Sequence, residues 1–174
     1  MFNELDILKI FFEDPNREFN VREAARILKI APATASKFLK EFDRKGVLTG
    51  RKERMLLLYK SNLDSELYRD LKVFYNLRKI KDSGFIEAVD RFYLKPTIIF
   101  FGSASKGYDV KESDFDFVII SEKKKDFPHQ KKFEKKLMKN FQIFVVKSIK
   151  GLRNEHLVNN VLNGTVIQGR FEWI

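Results

Sequence analysis

Apolar residues recur at helical spacing over the first half of the chain and as short unbroken runs over the second half. Within residues 1–60, three stretches have the three- and four-residue spacing of amphipathic helices, and the third is residues 32–46, PATASKFLKEFDRKG. Two short runs at residues 47–49 and 55–59 predict strands, joined by a basic tip at residues 50–54. The pattern therefore predicts three helices and a hairpin in this part of the chain.

Residues 61–95 continue the helical spacing, with a break at Gly84 before a second helical stretch at residues 85–93. This segment is too apolar for a free linker, so we expect it to pack either on both neighbouring domains or against a second subunit. The helices within residues 63–93 are accordingly a candidate homodimer surface. The predicted domains are residues 1–60, the connecting helices at residues 61–95 and a last domain at residues 96–174.

Residues 98–120, IIFFGSASKGYDVKESDFDFVII, hold the most informative pattern in the sequence. A first apolar run ends at Gly102-Ser103, and after a ten-residue spacer Asp114 and Asp116 lead into a second apolar run that begins at residue 117. Short apolar runs bounded by turn residues predict buried strands, so we expect two strands joined by a glycine-containing turn. Further along, the pattern predicts a helix at residues 128–139, a strand at 141–146, a helix at 155–162 and a closing strand at 165–168.

The two carboxylates of this stretch predict a metal site. Side chains two residues apart on a strand point to the same face, so Asp114 and Asp116 are expected side by side, where they repel each other unless a cation separates them. Oxygen ligands favour Mg²⁺ or Mn²⁺. Gly102 allows the backbone to approach a ligand closely, and the Ser103 hydroxyl with the amides up to Lys106 could hold a phosphate if that stretch opens a helix.

The order of these features, an apolar run, Gly-Ser, a spacer and Asp-x-Asp, resembles the motif of the nucleotidyltransferase superfamily of DNA polymerase beta. The ten-residue spacer resembles that of the minimal branch, and the likeness extends over residues 85–174. It implies an α+β fold with a mixed sheet flanked by helices, and Mg²⁺ or Mn²⁺ at the two aspartates. It also implies ATP or another NTP at Gly102, Ser103 and Lys106, and nucleotide transfer with release of pyrophosphate.

One position departs from the pattern of that family. The superfamily carries a third carboxylate on a later strand, and the matching strand here, residues 141–146 (FQIFVV), has Gln142 in that place. An amide oxygen can coordinate a metal, but it carries no charge and takes up no proton. Because the third acid of the family is the candidate for assisting deprotonation of the attacking hydroxyl, Gln142 puts catalysis in question more than nucleotide binding.

The order of helices, turn and basic hairpin in residues 1–60 resembles the winged helix-turn-helix modules of prokaryotic transcription regulators. That likeness implies that the third helix enters the major groove of DNA by its first turns and that the hairpin reaches phosphates or the minor groove. A second interpretation is a module for dimerisation or contact with another protein. The residues expected to contact DNA are Ala33, Thr34, Ser36, Lys37, Lys40 and Arg44 on the helix and Arg51, Lys52 and Arg54 on the hairpin.

Composition narrows the class of partner and the cellular environment. The net charge of +10 and a pI near 9.7 favour nucleic acid, nucleotides or an acidic protein as partners, although residues 1–60, with 13 basic and 9 acidic side chains, carry only +4. The absence of cysteine excludes disulfides, thiolate metal sites and a cysteine nucleophile. No apolar run approaches the roughly 18 residues of a membrane helix, and the first residues do not resemble a signal peptide. We therefore expect a cytoplasmic protein without a membrane partner.

Two functions stay open on the sequence alone. In the first, the protein is a magnesium-dependent enzyme that transfers NMP from an NTP to a protein or nucleic acid and carries an N-terminal DNA-binding module. The likeness to the minimal branch then implies a partner toxin protein as acceptor and a role as antitoxin. In the second, the protein is a DNA-binding transcription regulator whose nucleotidyltransferase fold senses a nucleotide without catalysis, an alternative that Gln142 favours.

Overall fold

The computed structural model describes residues 4–170, and in that range seven α-helices and two β-sheets form an α+β fold, as the sequence predicts. The chain divides into two compact units, Met1–Tyr75 and Asn76–Ile174. The division falls within residues 61–95, the segment that the sequence predicts to connect two domains. None of the helices in the described range is long and apolar enough to cross a membrane.

The N-terminal unit contains three complete helices and a small antiparallel sheet, and the first part of a fourth helix adds to its core. Its elements are α1 (Glu4–Glu13), β1 (Phe19–Asn20), α2 (Val21–Leu28), α3 (Pro32–Arg44), β2 (Leu48–Glu53) and β3 (Leu56–Ser61). The strands lie in the order β1-β3-β2. Phe11 and Phe19 meet edge to face at 5.1 Å, in a core that also buries Leu39 of α3. Phe11 and Leu39 occupy apolar positions of the predicted helical faces.

Local sequence determines where the helices of this unit begin and end. Asn20 caps α2, because its side-chain oxygen accepts a hydrogen bond from the backbone N–H of Glu23 at 2.9 Å. Lys29 ends the same helix in the left-handed conformation, with a φ of 55°. Pro32 then begins α3 at a position where its missing N–H costs no helical hydrogen bond. The two helices are therefore joined by a tight turn.

The hairpin that follows α3 differs from the sequence prediction. Strand β2 continues through residues 50–53, for which the sequence predicts the tip, and the turn is confined to residues 54–55. Residues 51–53 pair in register with residues 56–58 of β3, and the Arg51 guanidinium donates two hydrogen bonds of 2.6 Å to the carboxylate of Glu18. The local sequence gives no sign of this ion pair, whose two residues are 33 positions apart.

Two helices, α4 (Glu66–Asp82) and α5 (Phe85–Tyr93), follow the hairpin. They are separated at Gly84, which has a φ of 80° and stands where the sequence predicts the break. Tyr68 of α4 is buried in the core of the N-terminal unit, whereas Ile80 of the same helix is buried in the core of the C-terminal unit. The connecting segment is thus helical, as predicted, and α4 supplies side chains to both cores.

The C-terminal unit contains a four-stranded mixed sheet. Its further elements are β4 (Thr97–Phe101), β5 (Phe115–Ile120), α6 (Gln130–Leu137), β6 (Phe141–Val146), α7 (Glu155–Leu162) and β7 (Thr165–Gln168), with single 3₁₀ turns at Ala104–Lys106 and Ile149–Gly151. The strand order is β6-β5-β4-β7. Strands β5 and β6 are parallel, and the other two pairs are antiparallel.

Both faces of this sheet are packed, because successive side chains of a strand point to opposite sides. On one face the ring of Phe85 from α5 lies 4.8 Å from that of Phe117 and 5.5 Å from that of Phe133, measured between ring centroids. On the other face Val118 of β5 packs with Val161 of α7. The even-numbered residues of β5 therefore share the face that bears α7.

Candidate functional site

Strand β4 brings the Gly-Ser turn beside the second aspartate. Phe101, the last residue of β4, is the register partner of Asp116 on β5, and Gly102 follows directly with a φ of +77°. A Cβ atom at Gly102 would stand 2.1 Å from Oδ2 of Asp116. A larger residue would have to adopt an unfavourable backbone conformation and displace the carboxylate, so the glycine preserves the space that the Asp116 side chain occupies.

The residues after Gly102 form one short turn. Ala104–Lys106 is a 3₁₀ turn of three residues. From the sequence we expect a phosphate site if this stretch opens a helix, and it supplies no α-helix N-terminus. The Ser103 carbonyl accepts the N–H of Lys106 at 3.1 Å, and the Ser105 hydroxyl donates to the Gly102 carbonyl at 2.8 Å. The side chains of Ser103 and Lys106 are exposed and accessible to a phosphate.

The two aspartates interact electrostatically. Strand β5 begins at Phe115, so Asp116 lies inside the strand, paired with Phe101 of β4, and Asp114 lies just ahead of it. Asp114 is exposed and Asp116 is half-buried. Burial, together with the negative charge of Asp114, raises the pKa of Asp116 to about 6. The neighbourhood thus disfavours two ionised carboxylates, as expected of a site that a cation would stabilise.

Gln142 stands opposite Asp116 on the neighbouring strand. The two residues are register partners in the parallel pair of β5 and β6, and the Gln142 side chain is exposed. Partners in adjacent strands project to the same face of a sheet. The structure therefore brings Gln142, the two aspartates and the Gly-Ser turn to one end of the sheet, although they come from three separate parts of the chain.

The donor atoms at this end of the sheet fit a divalent metal. Asp114 and Asp116 offer carboxylate oxygens and Gln142 an amide oxygen, and hard oxygen donors are the ligands of Mg²⁺ and Mn²⁺. Within residues 4–170, no group of three or more His, Cys, Asp or Glu side chains could hold a metal ion. That finding agrees with the presence of an amide at the third position, where the resemblance implies an acid.

The nine residues expected to contact DNA lie on α3 and on the hairpin of the N-terminal unit. All are exposed except Ser36, which is partly buried; the exposed ones are Ala33, Thr34, Lys37, Lys40, Arg44, Arg51, Lys52 and Arg54. Arg51 already contacts Glu18 and Glu53, each at 2.6 Å, and hydrogen bonds to these carboxylates raise its pKa. A phosphate would have to compete with both for Arg51, whereas neither Lys52 nor Arg54 forms such an ion pair within residues 4–170.

A buried polar cluster behind the spacer was not expected from the sequence. Asp109, in the middle of the spacer, accepts a hydrogen bond from the Asn76 amide at 2.9 Å and lies 3.7 Å from the ammonium of Lys139. Asn76 precedes Asp109 by 33 residues, so no local pattern links them. The spacer holds two acids, Asp109 and Glu112, and nothing in the sequence distinguishes the first of them.

Comparison with known proteins bears on the C-terminal unit. No curated protein is significantly similar to the chain. Residues 82–160 match the family model described as the nucleotidyltransferase domain, and this range runs from the last residue of α4 into α7, so it includes the Gly-Ser turn, both aspartates and Gln142. The resemblance to nucleotidyltransferases is thus confirmed for residues 82–160.

Proposed function

We propose that the C-terminal unit transfers a nucleoside monophosphate from ATP or another NTP to an acceptor hydroxyl, with Mg²⁺ or Mn²⁺ as cofactor. The observation that carries the proposal is the position of Asp116, which lies beside Gly102 and opposite Gln142. The family match over residues 82–160 supports the same class of reaction.

In the proposed reaction the acceptor oxygen forms a bond to the α-phosphorus of the NTP. The bond from that phosphorus to the bridging oxygen of the β-phosphate breaks, and pyrophosphate leaves. Asp114 and Asp116 would hold a divalent ion, which would neutralise the charge that develops on the phosphates. Ser103 and Lys106 bind the distal phosphates by hydrogen bonds and by charge. The hydroxyl proton passes to water or to the substrate, because the Gln142 amide takes up no proton.

The N-terminal unit is proposed to bind duplex DNA as a winged helix-turn-helix. Its three helices and hairpin occur in the required order, and α3 buries Ala35, Leu39 and Phe42 on one side. The opposite side of α3 carries exposed cations, which suit contacts to phosphates. The short side chains at the start of α3 limit bidentate contacts to bases, so modest sequence specificity is expected.

The acceptor is proposed to be a hydroxyl on a partner toxin protein, which would make this chain an antitoxin. The support is the likeness of the ten-residue spacer to the minimal nucleotidyltransferase branch.

Residues 63–93 are proposed as a homodimer surface, since α4 leaves Leu67 and Phe74 about half exposed, at 46% and 50%. Exposed apolar side chains on one helix favour such a contact.

Transfer of radioactive label tests the enzymatic proposal. The protein is incubated with Mg²⁺ and each α-labelled NTP. The acceptor is either the purified protein encoded by the neighbouring gene or total RNA. Label should appear on one acceptor and disappear with Asp114→Asn, whereas Asp64→Asn, an exposed acid in the N-terminal unit, should behave as the wild type. Magnesium-dependent NTP binding without label on any acceptor would contradict the enzymatic proposal.

The second candidate function is a DNA-binding regulator that senses a nucleotide. The position of Gln142 opposite Asp116 favours it, because two carboxylates and an amide could bind a metal–nucleotide complex without a third acid for catalysis. A gel-shift assay with genomic fragments, with and without Mg²⁺–NTP, tests this function. The sensing function requires that the protein concentration at half-maximal shift changes when nucleotide is added. A shift that no nucleotide alters would reject the sensing role.

A further inference from the structure

The spacer between the Gly-Ser turn and the aspartates is held from behind by buried side chains. Asn76 of α4 is 2% exposed, and its amide donates one hydrogen bond to Oδ1 of Asp109 at 2.9 Å and one to the carbonyl of Ala104 at 3.0 Å. Ala104 is the second residue after Gly102. A single side chain therefore joins the phosphate-binding turn to the middle of the spacer.

Lys139, two residues after the end of α6, holds the other half of the spacer. Its ammonium donates to the carbonyl of Val110 at 2.6 Å and to that of Lys111 at 3.1 Å, and it lies 3.7 Å from Oδ2 of Asp109. The Ser113 hydroxyl accepts the N–H of Val110 at 2.9 Å, and Ser113 directly precedes Asp114. Lys139 therefore contacts the segment that leads into the first aspartate.

Burial makes the charges of Asp109 and Lys139 energetically unfavourable. The side chains of Asp109 and Lys139 are 2% and 8% exposed, and burial lowers the pKa of Lys139 while Asp109 opposes that change. A buried ion pair seldom adds net stability relative to apolar side chains of the same volume. Global stability alone is therefore a poor explanation for a charged pair under this loop, and a specific loop geometry is a better one.

We infer that Asn76, Asp109 and Lys139 are positioning residues that fix the phosphate-binding turn relative to the metal-binding aspartates. The inference rests on the proposed function for its catalytic consequence. In the proposed site the NTP contacts the Gly-Ser turn and the metal contacts the aspartates, so the three residues act only through the spacer. A displacement of about 1 Å in the reacting groups can lower a rate by about 10²-fold.

The central test compares substitutions of Lys139 in the full chain. Lys139→Met removes the charge and the donors but keeps an unbranched stem, and Lys139→Arg retains the charge. The matched control is Lys132→Met, on the exposed side of α6, where the ammonium lies over the Phe133 ring. We expect Lys139→Met to lower kcat at least about tenfold with a smaller change in KM, Lys139→Arg to restore part of the loss, and Lys132→Met to match the wild type.

A second substitution guards against simple unfolding. Asp109→Asn combined with Lys139→Met removes both charges of the pair together, so neither is left opposite a neutral side chain, while the hydrogen bonds to Val110 and Lys111 are lost. We expect the double variant to keep a cooperative unfolding transition and still show the low kcat. Wild-type kcat in a folded double variant would overturn the inference.

Hydrogen exchange separates this inference from the proposed enzymatic function. In the absence of nucleotide, Lys139→Met should raise amide exchange in residues 104–113 at least about tenfold relative to the control variant, with α5 unchanged as an internal reference. Unchanged exchange in the spacer overturns the inference whether or not the protein is an enzyme. If the wild-type protein transfers no nucleotide but Lys139→Met still exchanges faster in the spacer, the proposed enzymatic function is rejected. The role of these three residues in holding the spacer then stands.

Discussion

Asp116 and Gln142 are register partners on the parallel strands β5 and β6. The resemblance to nucleotidyltransferases implies a carboxylate at the position of Gln142. This chain therefore presents two negative charges and one amide where three acids are expected. The difference lowers the repulsion among these three side chains when no cation lies between them. It also removes the group that would assist proton removal from the acceptor.

The substitution Gln142→Asp is expected to raise nucleotidyl transfer, because it adds a carboxylate opposite Asp116 that can complete the metal site and accept a proton. A general base contributes about 10²- to 10⁴-fold, and we expect the gain to reach at least the lower end of that range. The initial rate of label transfer measures it. Gln142→Asn is the control, since it has the length of Asp without the charge; an equal gain in both variants would contradict the explanation, and so would no gain in either.

The substitution Asp116→Asn is expected to weaken magnesium-dependent NTP binding more than about tenfold, or about 1.4 kcal/mol, because it removes one of two charges at the proposed metal site. Titration calorimetry with a non-hydrolysable ATP analogue measures the affinity. In EDTA the same variant should unfold at a temperature no lower than the wild type, since a half-buried charge beside Asp114 is gone. Unchanged affinity would refute the assignment of Asp116 as a metal ligand.

The substitutions Gly102→Ala and Gly84→Ala should separate backbone strain from crowding at the site. Both glycines have φ near +80°, so each alanine should cost about 1–2 kcal/mol in the free energy of unfolding. A Cβ at residue 84 meets nothing within 4 Å, whereas one at residue 102 meets the Asp116 carboxylate. Only Gly102→Ala should therefore weaken NTP binding as well, and calorimetry would show equal affinities if the close approach had no role.

The hairpin should contribute to DNA binding through Lys52 and Arg54 more than through Arg51. Replacing Lys52 and Arg54 by Gln is expected to lower the slope of log affinity against log salt by about 2, since each phosphate contact contributes about 0.9. Arg51→Gln should change the slope less, because Arg51 is engaged by Glu18 and Glu53. Fluorescence anisotropy of a labelled duplex over a series of KCl concentrations measures the slopes, and a slope insensitive to the double substitution would place DNA elsewhere.

Elements with strong local boundaries are predicted well from the sequence. Helix α5 follows Gly84, and helix α7 follows Asn154, which caps it by accepting the N–H of Leu157 at 3.1 Å. The predicted bounds of both helices agree with the structure because these boundary residues act within one turn of the backbone. The residues of the Gly-Ser and Asp-x-Asp motif are likewise found together, since a strand, a turn and a second strand return the chain to the same place.

Features that depend on distant partners were not predicted. Strand β2 extends past Gly50, where Arg51, Lys52 and Glu53 pair with β3, and Arg51 also binds Glu18, a residue 33 positions away. Asp109 likewise finds Asn76 only after the chain has folded. Periodicity and turn chemistry describe neighbours in sequence, so neither can reveal a pair of side chains that tertiary packing brings together.

Helix α4 has a practical consequence for dividing the protein. Tyr68 donates to the Phe11 carbonyl at 3.0 Å in the N-terminal core, and Leu77 and Ile80 pack in the C-terminal core. A fragment that ends at residue 60 loses the first contact, and a fragment that begins at residue 96 loses the other two. Recombinant fragments meant to test either proposed activity should therefore overlap, each with its own copy of the whole helix, and chimeras with related proteins should exchange the helix intact.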